Sequence, residues 1–245
     1  QYKILFYFYN ILMIKIIFFD VFGTLVDWRK SLINQIKEDN IFNDDDLFLE
    51  KFVINWRLEY QPILNKVNNK QIPWMILDEL HLKSLNNVIK KMKIDYISEA
   101  NKKKMILYWH RLNPWNDSQE ALISLNKKFL TSSLSNGNIY LQKNLIKYAA
   151  LEINFLTSAE SFKLYKPNIN VYLRAAESLG FHPNNCALVA SHRSDLKAAS
   201  KAGFFTIFIK RSTEYGQFSH KFPKTDFNPC ISVEKLTEIK KKLIN

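Results

Sequence analysis

The chain has 245 residues, 47% of them apolar, which is enough for one large domain or a core with a smaller insertion and too apolar for a disordered tail. Lysine and arginine outnumber the acids 35 to 23, for a formal charge of +12, but the positive residues are scattered, with short runs only at 102–104 and 240–242; no basic stripe is interleaved with aromatics as a nucleic-acid groove requires, while a basic surface does favour encounter with small anions. Cys186 and Cys230 are isolated and lack CxxC spacing, so neither a disulfide framework nor a zinc site is indicated, and a reducing, cytoplasmic setting is expected.

The start of the chain, residues 1–22, is apolar, but it lacks a small-residue cleavage site, and Asn10 and Lys15 interrupt it; residues 1–12 precede the first strand pattern. They read as an N-terminal extension that the fold does not need, rather than as a signal or membrane anchor. Residues 14–20 (IKIIFFD) form a short continuous apolar run, the pattern of a parallel strand buried on both faces. From 28 to 110 apolar residues recur at helical spacing in four segments, 28–40, 46–67, 77–92 and 97–112. The pattern then alternates. A helix is predicted over 117–128, a strand running into a turn over 129–137, a helix over 138–151, a strand over 153–160 and a helix over 168–180 ended by Gly180. A strand at 186–191, a helix at 195–203 ended by Gly203 and a last buried strand at 204–210 complete it. This order predicts an α/β fold, a doubly wound parallel sheet built from 13–27 and 111–245, with an all-helical insertion at 28–110.

In such sheets ligands lie beyond the carboxyl ends of the strands. Four strand ends carry polar groups: Asp20, then Ser135-Asn136-Gly137, then Lys166, then Ser191 through Asp195. Each has an ordinary explanation: Asp20 as a turn cap, Ser135 and Asn136 as a turn with Gly137 at positive φ, Lys166 as a surface lysine, Asp195 as a helix N-cap. Together, at one edge of one sheet, they supply a nucleophile, donors for developing negative charge, a cation to keep the nucleophile ionised and a group to orient water.

The order and wording of these segments resemble the haloacid dehalogenase superfamily and, within it, the type II (S)-2-haloacid dehalogenases. FDVFGTLVDWR (19–29) is similar to the first motif, LSNGN (134–138) to the second, YKPNINVY (165–172) to the third and VASHRSDLKAASKAG (189–203) to the fourth. NWRLEYQP (55–62), IPW (72–74), LDELH (77–81) and WHRLNPW (109–115) are similar to segments of that family's helical cap, and TEYGQ (213–217) to its tail. The resemblance implies a Rossmann-like core with an inserted cap and an enzyme hydrolysing short (S)-2-haloalkanoates to (R)-2-hydroxy acids and halide. Its implied roles are Asp20 as nucleophile, Lys166 keeping Asp20 charged, and Asp195 holding Lys166 and helping to activate water. Ser135 and Asn136, with the amides near Val21 and Phe22, would hold the substrate carboxylate or ester oxyanion. Arg57 would reach down from the cap to the substrate, Phe22 would line the pocket, and Thr24 and Tyr172 would orient Asp20 and Lys166.

Two residues depart from the phosphatase branch of that superfamily. Phe22 stands where a second acid would protonate the leaving oxygen, and Ser191 where a second magnesium ligand is usual, so neither metal nor cofactor is expected. A halide, unlike an alkoxide, leaves without a general acid. His192 occupies a position where a polar amide is common and Ala190 one where serine is common, so water positioning is where this chain differs from its resemblance. His81 and His110 are read as structural, Trp56 and Trp74 as core. The expected partners are a small anionic 2-haloalkanoate and water, without nucleic acid or membrane, and a homodimer is compatible with the pattern. The alternatives are another hydrolase of the superfamily, a phosphatase or a ring-carboxylate hydrolase, and a non-enzymatic binding module.

Overall fold

The structure, a computed structural model, describes residues 11–42 and 45–244. Its centre is a six-stranded sheet whose neighbouring strands all run parallel: β1 (Ile16–Phe19), β2 (Leu130–Ser135), β3 (Phe155–Ser158), β4 (Cys186–Ala190), β5 (Phe205–Ile209) and β6 (Ile231–Val233), in the order β3-β2-β1-β4-β5-β6. All four residues of β1 are buried. Ile17 and Phe19 pack into one hydrophobic cluster and Ile16 and Phe18 into the other, because successive side chains of a strand point to opposite faces. The continuous apolar run therefore marks a strand covered on both sides.

The chain winds outward from β1 through β2 to β3 and then returns to place β4 on the other side of β1. The carboxyl ends of β1, β2 and β4 thus meet where the winding reverses, the crevice in which open α/β sheets bind ligands. Between β1 and β2 lies the helical insertion: α1 (Trp28–Glu38), α2 (Asp46–Asn68), α3 (Leu77–Lys91) and α4 (Glu99–Tyr108). Each starts close to where helical periodicity begins in the sequence; Asp45 caps α2 by accepting from the Phe48 amide at 2.8 Å, and Ser98 caps α4 through the Asn101 amide at 3.1 Å. The core helices α5 (Ser118–Asn126), α6 (Ile139–Tyr148), α7 (Ile169–Ser178) and α8 (Arg193–Lys201) connect the strands. Gly180 and Gly203, expected to end α7 and α8, both take positive φ.

One expectation is corrected, and two of the ordinary explanations weighed for the strand-end residues do not hold. The strand at 204–210 is not the last: β6 follows it and α9 (Glu238–Ile244) closes the chain. Gly137 is not at positive φ; a side chain there would instead crowd Gln142, Leu141 and Ser135, at 3.2–3.3 Å. The fourth-motif helix begins at Arg193 with His192 at its N-cap position, so Asp195 lies inside the first turn and is not its cap.

Of the stretch at 1–12, residues 1–10 lie outside the described residues; Ile11 packs into the core and Leu12 is exposed. Among the described residues no helix is long and apolar enough to cross a membrane, and both cysteines are free thiols.

Candidate active site

Asp20 is the residue after β1, 7% exposed, with its amide bonded to the Val189 carbonyl of β4 at 3.0 Å. The chain then turns sharply, and Gly23 takes φ +83°. Thr24, fully buried, returns its hydroxyl to Asp20 Oδ2 at 2.8 Å and accepts the Ser191 amide at 2.9 Å, tying the ends of β1 and β4 together. Neither the Val21 nor the Phe22 amide donates a hydrogen bond among the described residues. Two amides one residue apart beside a carboxylate form a ready receptor for a developing oxyanion.

Lys166, 5% exposed, lies between two acids: its Nζ is 2.9 Å from Asp20 Oδ1 and 2.6 Å from Asp195 Oδ2. The other Asp195 oxygen accepts the hydroxyl of the buried Tyr172. Both Asp195 oxygens are thereby engaged, which makes it an anchor for the lysine. Burial alone would raise the Asp20 pKa, but the Lys166 charge and the His192 bond outweigh it and hold Asp20 well below the usual carboxylate range. Burial likewise opposes the charge on Lys166, and Asp195 and Asp20 reverse that, so its pKa is raised. The product of these contacts is an ionised, partly desolvated carboxylate with fixed orientation, the state an attacking oxygen requires.

His192 stands on the far side of Asp20, with Nδ1 3.3 Å from Asp20 Oδ2 and Nε2 2.9 Å from Glu214 Oε1. Burial alone would favour the neutral ring, but the Glu214 charge and the bonds to both acids push its pKa well up. Glu214 is 2% exposed and is also bonded by Trp28 Nε1 at 2.9 Å and Ser191 Oγ at 3.3 Å. Burial would raise its pKa; the His192 charge and bond, with Trp28, bring it below the ordinary value. Sequence reasoning assigned no role to Glu214. The only signal was its place in TEYGQ, in a loop after β5 without periodicity.

Ser135 ends β2 and is fully buried, its Oγ accepting the Gly137 amide at 3.0 Å. Asn136 grips the backbone of Lys166: Oδ1 accepts the Lys166 amide at 2.8 Å, and Nδ2 donates to the Lys166 carbonyl at 3.3 Å. Its side chain thus holds the lysine's main chain. From the cap, the Arg57 guanidinium lies over the rings of Tyr60, at 4.1 Å, and Trp28, at 5.5 Å. Arg57 Nη1 is buried without a hydrogen-bond acceptor among the described residues, which leaves a charged donor able to take an anion. Phe22 is 3% exposed and packs edge-on against Trp109 with centroids 5.7 Å apart. His81 and His110 are buried on the insertion: His81 stacks on Trp109 at 4.2 Å, and burial pushes its pKa down to about 3, while His110 bonds Asp78 at 3.2 Å and Asn144 at 3.0 Å. Trp56 is core, and Trp74 is a half-buried ring stacked on Tyr165.

Magnesium fits this donor set poorly. Asp20 faces Lys166, His192 and the Thr24 hydroxyl, the Phe22 side chain offers no oxygen, and among the described residues no group of three acids, histidines or cysteines is placed to hold an ion.

Residues 14–203 match the family described as haloacid dehalogenase-like hydrolase. The crystal structure of the L-2-haloacid dehalogenase PA0810 superposes with a TM-score of 0.86 at 35% identity, covering 94% of this chain and 99% of that one. That of the defluorinating L-2-haloacid dehalogenase Rha0230 also gives 0.86, at 30% identity, covering 94% and 95%. Among curated relatives, (S)-2-haloacid dehalogenase 4A of Burkholderia cepacia is 27% identical over 199 residues, 79% of this chain and 81% of the relative.

Proposed function

The chain belongs to the haloacid dehalogenase-like hydrolases, and from that premise we propose that it hydrolyses short (S)-2-haloalkanoates to (R)-2-hydroxy acids and halide through an ester on Asp20. The observation that carries this reading is the buried, ionised Asp20 held between two protein cations, Lys166 and His192. Arg57, its Nη1 without a protein acceptor, supports an anionic substrate bound under the insertion.

Asp20 attacks C2 from the face opposite the halogen; the new C–O bond forms as the C–halogen bond breaks, and the configuration inverts. The halide departs as an anion. Water then attacks the side-chain carbonyl carbon of Asp20, with the Val21 and Phe22 amides receiving the oxyanion; collapse of that adduct breaks the bond between this carbon and the ester oxygen, which leaves on C2 and takes up the water's second proton as the hydroxyl of the product. Since this second step leaves C2 untouched, the inverted configuration is retained in the product.

His192 is the group placed to handle the water's proton, because Asp195 has both oxygens committed to Lys166 and Tyr172. Esterification removes the Asp20 charge that helps keep the imidazole protonated. The ring, left with Glu214 as its partner, releases its proton and accepts one from the attacking water. One proton leaves per turnover, as the overall hydrolysis requires. A phosphatase reading is disfavoured by Phe22 and by the cations that face Asp20.

The test is chloride release from racemic 2-chloropropionate in the presence of EDTA, with chiral analysis of the lactate. Consumption of the S enantiomer alone with formation of R lactate is expected. No chloride release, together with magnesium-dependent cleavage of p-nitrophenyl phosphate, would overturn the reading.

A further inference from the structure

Lys166 is fixed at its head by Asp20 and Asp195, and its backbone is fixed as well. Asn136 makes two reciprocal bonds to it, accepting the Lys166 amide at 2.8 Å and donating to its carbonyl at 3.3 Å. The same pattern recurs one residue earlier, from the other side of the molecule. Asn68, the last residue of α2, accepts the Tyr165 amide on Oδ1 at 2.9 Å and donates Nδ2 to the Tyr165 carbonyl at 2.8 Å. Two asparagines, one from the insertion and one from the core, thus grip consecutive peptide units immediately before and at the lysine that faces the nucleophile.

Other contacts hold this seam closed. The Tyr165 hydroxyl donates to the Met75 carbonyl at 2.7 Å, and its ring stacks on Trp74 at 4.7 Å. Across the seam, Asn138 donates to Asp78 Oδ2 at 3.0 Å and accepts the Asp78 amide at 3.3 Å. Asn68 also shares a helix with Arg57. Eleven residues are three turns plus about 20°, so the two project from one face of α2, roughly 16 Å apart. One helix, with Pro62 between the two positions, therefore carries Arg57 near its middle and, at its C-terminal end, the side chain that binds the backbone beside Lys166.

We propose that Asn68 is a positioning residue through which the closed helical insertion sets Lys166 against Asp20. The proposal rests on the reading of Asp20 and Lys166 as reacting groups given above. Asn68 does not touch the reacting atoms; it fixes the peptide from which the lysine extends. Loosening that peptide lengthens the Lys166–Asp20 contact, which weakens the hold on the ionised carboxylate without removing any group that binds substrate.

The experiment compares wild type, Asn68→Ala and, as a control on the exposed face of α2, Gln61→Ala. Asn68→Ala is expected to lower kcat about tenfold with KM within threefold of wild type. It is also expected to move the acid limb of the kcat/KM profile to higher pH, because Asp20 loses part of the charge that keeps it ionised. Hydrogen exchange at the Tyr165 amide is expected to speed up, and Gln61→Ala to match wild type throughout. A folded Asn68→Ala protein with unchanged kcat and an unmoved acid limb would overturn the proposal. Should Asn68→Ala fail to fold, Asn68→Asp keeps the acceptor for the Tyr165 amide and replaces the donor by a carboxylate oxygen that repels the Tyr165 carbonyl, and unchanged kcat and acid limb there count against the proposal equally. If the wild type releases no halide, the dehalogenase reading falls by itself. The exchange measurement then decides: unchanged protection at Tyr165 removes the clamp.

Discussion

At the scale of single residues, the proposed mechanism divides the two halves of the reaction between two cations: Lys166, bonded to Asp20, keeps it ionised for the attack, and His192, paired with Glu214, handles the proton of the hydrolysis. Replacing His192 by alanine should therefore spare the first step and stall the second. We expect a burst of about one halide per protein chain, steady turnover lower by roughly 10²- to 10⁴-fold, and a chain whose mass rises by that of the substrate less the halide. A linear time course without a burst would mean that His192 acts in the attack. The pH dependence follows from Asp20. Its folded pKa is depressed, so it contributes stability that is present above its unfolded value of about 3.9 and is lost as pH falls through the lower folded value. In the wild type, the rate of halide formation in a single turnover should accordingly hold on the acid side at least down to about pH 4; a fall near pH 6 would show that Asp20 is not held low. The sequence placed Asp20, Lys166 and Asp195 at one sheet edge because each follows a strand or opens a helix. Glu214 and Asn68 were not legible that way, since each reaches the site through contacts made only once the chain is folded.

At the scale of elements, the turn after β1 shows how backbone geometry serves chemistry. Gly23 takes φ +83°, and a methyl group there would come 2.1 Å from Glu214 Oε1. Gly23→Ala therefore meets a conformational cost of about 1–2 kcal/mol together with a collision against a carboxylate held by the Trp28, Ser191 and His192 side chains. A loss of 2–4 kcal/mol in denaturant unfolding is expected, along with a displaced Glu214 and slowed ester hydrolysis; a variant as stable as wild type would contradict this account of the turn. The predicted helices and the strands through β5 were legible because each has a clear period or a buried apolar run. β6 was not: three residues, ISV, carry too short a pattern to separate a strand from a loop, and only pairing with β5 defines it. The lysine run at 240–242 stood out in the sequence only as a short basic run, and it lies on α9, which turns Ile239 and Leu243, four residues apart, into the core. The start of α8 was misplaced by two residues because Asp195 has the side chain of a cap, while the preceding turn places His192 in that position.

At the scale of the whole molecule, winding order and insertion point together make the site. The sheet reverses its winding at β1, which brings Asp20, Ser135 and Ser191 to one crevice, and the helices inserted directly after β1 carry Arg57, its guanidinium over the Tyr60 ring. The alternation of strands and helices made this architecture readable from the chain. The seam between insertion and core was not readable, because it is stitched by Asn68, Asn138 and Tyr165, polar residues with no local pattern that meet across 60 to 97 positions of sequence. The central claim is that Asp20 becomes an ester whose carbonyl, not the substrate carbon, receives the water. A single turnover with protein in excess over (S)-2-chloropropionate in H2¹⁸O tests it most directly. The account predicts ¹⁸O in the peptide that contains Asp20 and unlabelled lactate; label in the lactate with none on Asp20 would contradict it.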